Sequence, residues 1–115
     1  AKPVNQGWNP DEGYDQSFVL DNPNGEFGKA ATAYSSQTGI RLEVFSGEPT
    51  THLYTGKYLD IKNGKKGKYY GTYSAFCFET QHHANAVNIP TFPSTILHPG
   101  EVYHHKTTYK LSSDQ

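Results

Sequence analysis

Gly39-Ile40-Arg41-Leu42-Glu43-Val44 is the stretch whose pattern decides the fold class. Three aliphatic side chains alternate with two charged ones, the period of a half-buried strand whose opposite face is wet. The glycine ahead of it belongs to Thr38-Gly39, one of several turn signals; the others are Asn9-Pro10, Asn24-Gly25, Asn63-Gly64 and Pro99-Gly100. Each interrupts a short run rich in β-formers. Near the C-terminus Tyr103, His105, Thr107, Tyr109 and Leu111 alternate with His104, Lys106, Thr108 and Lys110. That pattern predicts a terminal strand with one aromatic face and with lysines on the other to discourage edge association. Further strands are expected over Gln16 to Leu20, Lys29 to Ser35, Leu53 to Thr55 and Tyr70 to Glu79. No segment sustains a 3.6-residue period with caps, and neither an internal repeat nor a domain boundary is visible. The expected fold class is all-β.

Length permits one domain, since a chain of 115 residues buries roughly two-thirds of its unfolded surface. The apolar content is 34%, lean beside the roughly 45–50% of average proteins, which predicts an incomplete core. With a formal net charge of −1 there is no global field to draw nucleic acid or an anionic membrane, so neither is an expected partner. Cys77 is the sole cysteine, which excludes an internal disulfide, and its place between Phe76 and Phe78 predicts burial. A reducing, cytoplasmic setting and a soluble chain are expected, because neither a signal peptide nor an apolar run of about 18 residues is present. The start at Ala1 and the lack of methionine fit a processed product or an internal fragment alike.

Six histidines raise the question of a metal. Adjacent residues in a strand point to opposite faces, so His82-His83 and His104-His105 are poor chelators of one ion, and no cysteine pair or His-Glu-x-x-His helix accompanies them. No metal is expected. Lys62 to Lys68 lacks the spacing of a phosphate loop and reads as a solvated connection. No glycine-flanked serine elbow supports a Ser-His-Asp nucleophile. The carboxylates carry more. If Phe76 and Phe78 face the core, Glu79 shares the other face with Cys77, where it can line a cleft. Asp15, ahead of Ser17-Phe18-Val19-Leu20, is an acceptor able to grip a hydroxyl. An exposed or salt-bridged carboxylate is the plainer reading of both, and patterning alone ends at a β protein with two suggestive acids.

Gly13-Tyr14-Asp15-Gln16-Ser17-Phe18-Val19-Leu20 resembles the Gly-x-Asp-His-x-Phe/Tyr segment of the aldose 1-epimerase family. Four more stretches resemble that family in the same order: Arg41 to Phe45 followed by Glu48-Pro49; Leu53-Tyr54-Thr55-Gly56 through Asp60; Phe76-Cys77-Phe78-Glu79-Thr80-Gln81; and Ala86 to Ser94 with Leu97 to Tyr103. The likeness spans nearly the whole chain but only about the last third of a family member.

The resemblance implies a galactose mutarotase-like β-supersandwich, of which residues 1–115 form the C-terminal segment of a single domain whose upstream portion is absent. It implies interconversion of the α and β anomers of aldohexoses such as galactose or glucose, without cofactor or metal. Glu79 matches the family's general base, Asp15 a residue that hydrogen-bonds a sugar hydroxyl, and His52 stands where the family usually carries a sugar-contacting glutamine. Gln16 replaces the histidine after the aspartate, and Ala84-Asn85 a common Pro-Asp. The family's two catalytic histidines lie upstream and match none of the histidines here. The expected partners are therefore a monosaccharide and the missing upstream portion, and the chain alone is expected to be inactive. A non-catalytic carbohydrate-binding β-sandwich and a structural remnant that binds no sugar are the alternatives.

Overall fold

The computed structural model describes residues 12–21 and 25–114. The expected turn at Asn9-Pro10, and the Asn24 half of the next, lie outside them. Six strands carry the fold: β1 Asp15–Val19, β2 Gly28–Tyr34, β3 Ile40–Ser46, β4 Thr50–Tyr54, β5 Cys77–Gln81 and β6 Thr107–Ser113. They make two antiparallel three-stranded sheets, ordered β1-β4-β5 and β2-β3-β6. The only helical turns among the described residues from 13 onward are short 3-10 pieces at Lys65–Gly67 and Ala86–Asn88. The all-β expectation holds.

The opening stretch behaves as its alternation requires. Thr38-Gly39 closes the β2–β3 hairpin, where the Gly39 amide donates to Ser35 O at 2.8 Å and Gly39 takes φ 68°, a conformation glycine adopts without steric cost. On β3, Val44 is fully buried between Ala31 and Tyr109 of the flanking strands. The opposite face is charged: Lys29 pairs with Glu43, Lys110 Nζ lies 3.5 Å from the same carboxylate, and the Arg41 guanidinium sits 4.8 Å from the Tyr34 ring. These partners hold Glu43 below the usual carboxylate range, the hydrogen bond from Lys29 contributing most and burial opposing it.

Three expectations need correction. The strand foreseen over Tyr70 to Glu79 begins only at Cys77, because Tyr73 adopts φ 63°, outside the β region, and Ser74 closes a turn onto Gly71 O. The terminal strand starts at Thr107, since its partner β3 ends at Ser46, the residue opposite Thr107. Cys77 is exposed, not buried. It belongs to β5, an edge strand of its sheet among the described residues, and Phe76 beside it is itself half exposed. The lysine-rich stretch is, as read, an exposed connection.

The two sheets meet on a seam that is mainly polar. Among the described residues the buried apolar side chains are Val44 and Ala86, whereas Gln16, Ser46, Glu48, Thr50 and Thr51 are buried and polar. Residues 47–49 carry the chain from β3 in one sheet to β4 in the other. There the Glu48 carboxylate faces His82 Nδ1 at 2.6 Å and His105 Nδ1 at 2.7 Å. His105 Nε2 reaches Thr107 Oγ1 at 2.7 Å, and that hydroxyl meets Thr80 Oγ1 at 2.6 Å. Tyr109 Oη also donates across the seam to Phe78 O at 2.9 Å. Away from it, Leu53, Phe76, Phe78 and Ala33 line an open apolar cleft of about 630 Å³.

Candidate active site

The sheet of β1, β4 and β5 puts the three residues singled out by sequence on one surface. Asp15 opposes Tyr54, which opposes Cys77; Ser17 opposes His52, which opposes Glu79. Side chains two apart on a strand share a face, so Asp15, Ser17, His52, Tyr54, Glu79 and Gln81 all project to the same side. Gln16, Leu53 and Phe78 project to the other, where Leu53 and Phe78 line the apolar cleft. Asp15, His52 and Glu79 converge on a recess of about 450 Å³ completed by Tyr54, Tyr58, Gln81 and Ala84, within the roughly 300–1,000 Å³ typical of small-molecule sites.

His52 is the fixed point of this surface. Its Nε2 lies 2.8 Å from Asp15 Oδ1 and its Nδ1 2.9 Å from Ser17 Oγ. Glu79 is exposed beside it. Gly56 begins the loop that brings Tyr58 over the recess; its carbonyl accepts from the Leu59 and Tyr73 amides at 3.2 and 3.0 Å, and the Tyr58 amide donates to Tyr54 Oη at 2.9 Å. Lys57 Nζ lies 5.4 Å from the Tyr58 ring and 2.8 Å from Glu12, a hydrogen bond that raises the lysine's pKa. The site thus offers one exposed carboxylate on β5, one carboxylate anchored by an imidazole, and two tyrosines as apolar walls with polar tips. No group of three His, Cys, Asp or Glu side chains among the described residues is arranged to hold a metal ion.

Sequence reasoning missed Ser17, Gln81, Tyr54 and Tyr58. Ser17 and Gln81 follow Asp15 and Glu79 by two positions, so the strand period would have found them. Tyr58 comes from a loop and leaves no periodic trace. Three of the other histidines make contacts within the protein: His82 and His105 on Glu48, and His83 stacked on Phe92 at 4.3 Å between ring centroids.

Comparison with known proteins places the chain in a family. Residues 1–110 match the family model described as aldose 1-epimerase. Galactose mutarotase of Rattus norvegicus is 41% identical over 87% of this chain and 29% of its own length; that of Sus scrofa is 40% identical over 96% of this chain and 34% of its own. A crystal structure of a GalM/aldose epimerase homologue from C. elegans superposes with a TM-score of 0.78 at 32% identity, covering 87% of this chain and 30% of that one. The chain therefore spans about a third of the length of the relatives it matches. On the family model and these identities together, it belongs to the aldose 1-epimerase family.

Proposed function

We propose that this chain supplies the general base and part of the sugar site of an aldose 1-epimerase acting on aldohexoses such as galactose or glucose. The observation that carries the reading is the convergence of Glu79, Asp15 and His52 on one recess, the positions that resemblance to the family assigns to the base and to sugar binding. In the reaction, the Glu79 carboxylate takes the proton of the anomeric hydroxyl while an acid protonates the ring oxygen. The bond between that oxygen and the anomeric carbon breaks, leaving an open-chain aldehyde. Rotation about the bond between the first and second carbons turns the other carbonyl face to the ring hydroxyl. Closure then returns both protons and gives the opposite anomer, with no net consumption of either. Asp15 and His52 form the sugar-binding wall.

The acid is a histidine from a portion of the enzyme outside these residues, because none of the histidines here matches one. Two features support a partner portion: the match to about a third of each relative, and the exposure of Phe27, Tyr34, Phe76 and Leu111, an amount of apolar surface that marks contact with other protein. A cytoplasmic setting belongs to this reading and rests on the single cysteine of the sequence, which can form no internal disulfide.

The test is anomer exchange by NMR in the natural polypeptide that carries this sequence. Glu79→Gln keeps shape but removes the base, so turnover should fall at least ~100-fold while galactose binding persists. The 115 residues alone should be inactive. Nearly unchanged exchange in the variant, or catalysis by these residues alone at the rate of the natural polypeptide, would refute the reading. Sugar binding with no exchange in the natural polypeptide would instead indicate a carbohydrate-binding module.

A further inference from the structure

We infer that Ser17 is a positioning residue, and that with Asp15 it locks His52 into a single tautomer, so that His52 acts on the sugar through Asp15 and not through a ring nitrogen of its own. This rests on the reading of the recess as a sugar site.

Donor and acceptor chemistry leaves little freedom. An ionised carboxylate only accepts hydrogen bonds, so the 2.8 Å contact at Asp15 Oδ1 requires the proton of His52 on Nε2. In a neutral imidazole the other nitrogen is then an acceptor, and the Ser17 hydroxyl, 2.9 Å from Nδ1, must donate to it. Both ring nitrogens are thereby engaged within the protein, and a sugar hydroxyl meets only the ring's carbon edge and face. Asp15 Oδ2 is left to take the sugar hydroxyl, its carboxylate plane set by the imidazole. The backbone enforces the arrangement: Ser17 and His52 are partners in the β1–β4 register, and Asp15 lies one pleat further along the same face. The His52 side chain is 23% exposed and that of Asp15 60%, so the imidazole is the sheltered part of the array and the carboxylate its accessible tip. Glu79 lies on the far side of His52 from Ser17, so Ser17 itself sits a strand away from the base. Losing Ser17 should therefore weaken sugar binding without slowing the proton transfer.

Nitrogen-15 NMR of the histidine-labelled natural polypeptide reads the tautomer without any turnover. The expected spectrum of the neutral imidazole has the His52 proton on Nε2 alone, both in the natural polypeptide and in Ser17→Thr, which keeps the hydroxyl. Ser17→Ala should show exchange between tautomers. Its KM for galactose should rise about 3- to 10-fold, the value of one hydrogen bond, with kcat within about twofold, and Ser17→Thr should restore KM. A His52 proton on Nδ1 in the natural polypeptide, or a tautomer and KM indifferent to Ser17→Ala, would overturn the inference. If kcat fell and KM did not, Ser17 would serve the base instead, which also overturns it. An unchanged rate in Glu79→Gln would defeat the catalytic reading separately, since the tautomer measurement does not depend on it.

Discussion

Replacing Glu48 should loosen the joint between the two sheets, and the cost can be worked from its contacts. The Glu48 side chain is 8% exposed, and its oxygens face the imidazoles of His82 and His105 at 2.6 and 2.7 Å. A hydrogen bond to a charged group contributes about 1.5–3 kcal/mol. Only the His105 contact has hydrogen-bond geometry; with that side chain 29% exposed, solvent screening places it at the low end, about 1.5 kcal/mol, and the close approach of His82 adds about 0.5 kcal/mol. Glu48→Leu removes the acceptor of the His105 ring and the close contact with His82, for a loss of about 2 kcal/mol. Glu48→Gln keeps one acceptor oxygen but turns its NH₂ toward the second imidazole, so it should lose about half of that. Urea unfolding of the natural polypeptide measures both. With a slope of about 1–3 kcal/mol per molar, Glu48→Leu should lower the midpoint by roughly 0.7–2 M. A loss below about 0.5 kcal/mol in Glu48→Leu, the range of an indifferent surface change, would refute the view that this carboxylate joins the sheets.

Two further outcomes follow from the fold. Gly56→Ala should destabilise by about 2 kcal/mol or more in thermal unfolding: φ is 78°, which costs a non-glycine residue about 1–2 kcal/mol, and a Cβ would meet Ala75 O at 2.6 Å. Glu43, with its pKa held below the ordinary 4.5, contributes stability that is present above that value and lost as pH falls through its lowered one; Glu43→Gln should lose this acid sensitivity, read as a smaller drop in urea midpoint between pH 6 and pH 3.

The strands were legible where alternation and turn chemistry agreed. Ile40 to Val44 had both, and β3 begins where the pattern begins. The stretch from Tyr70 misled because aromatic and β-branched content says nothing about φ; Tyr73 at 63° breaks a run that composition favours. Cys77 misled because flanking phenylalanines indicate burial only if something covers them, and β5 is an edge among the described residues. The grouping of Asp15, His52 and Glu79 required the order β1-β4-β5, which no local pattern contains; collinear likeness to a family supplied it. The seam around Glu48 left no signal, since its members are scattered from Ser46 to Thr107 and each is unremarkable alone.

That seam bears on the chemistry through register. Among the described residues β5 pairs only with β4, and a one-residue slip would turn Glu79 away from the recess and into the apolar cleft. Hydrophobic alternation cannot prevent this alone, because Phe76 is about half exposed and gains little from either face. Directional bonds do so instead. Thr50 Oγ1 donates to Gln81 O at 2.7 Å, Tyr109 Oη to Phe78 O at 2.9 Å, and the Thr80 and Thr107 hydroxyls meet at 2.6 Å. Each is broken by a slip of one residue, and together they bracket Glu79 on both sides along the strand. Beyond them His82 ends on Glu48, which anchors the end of β5 to the chain crossing between the sheets. A polar joint stabilises less per residue than a packed apolar one, but its partners are specific, and the role of base proposed for Glu79 needs that specificity.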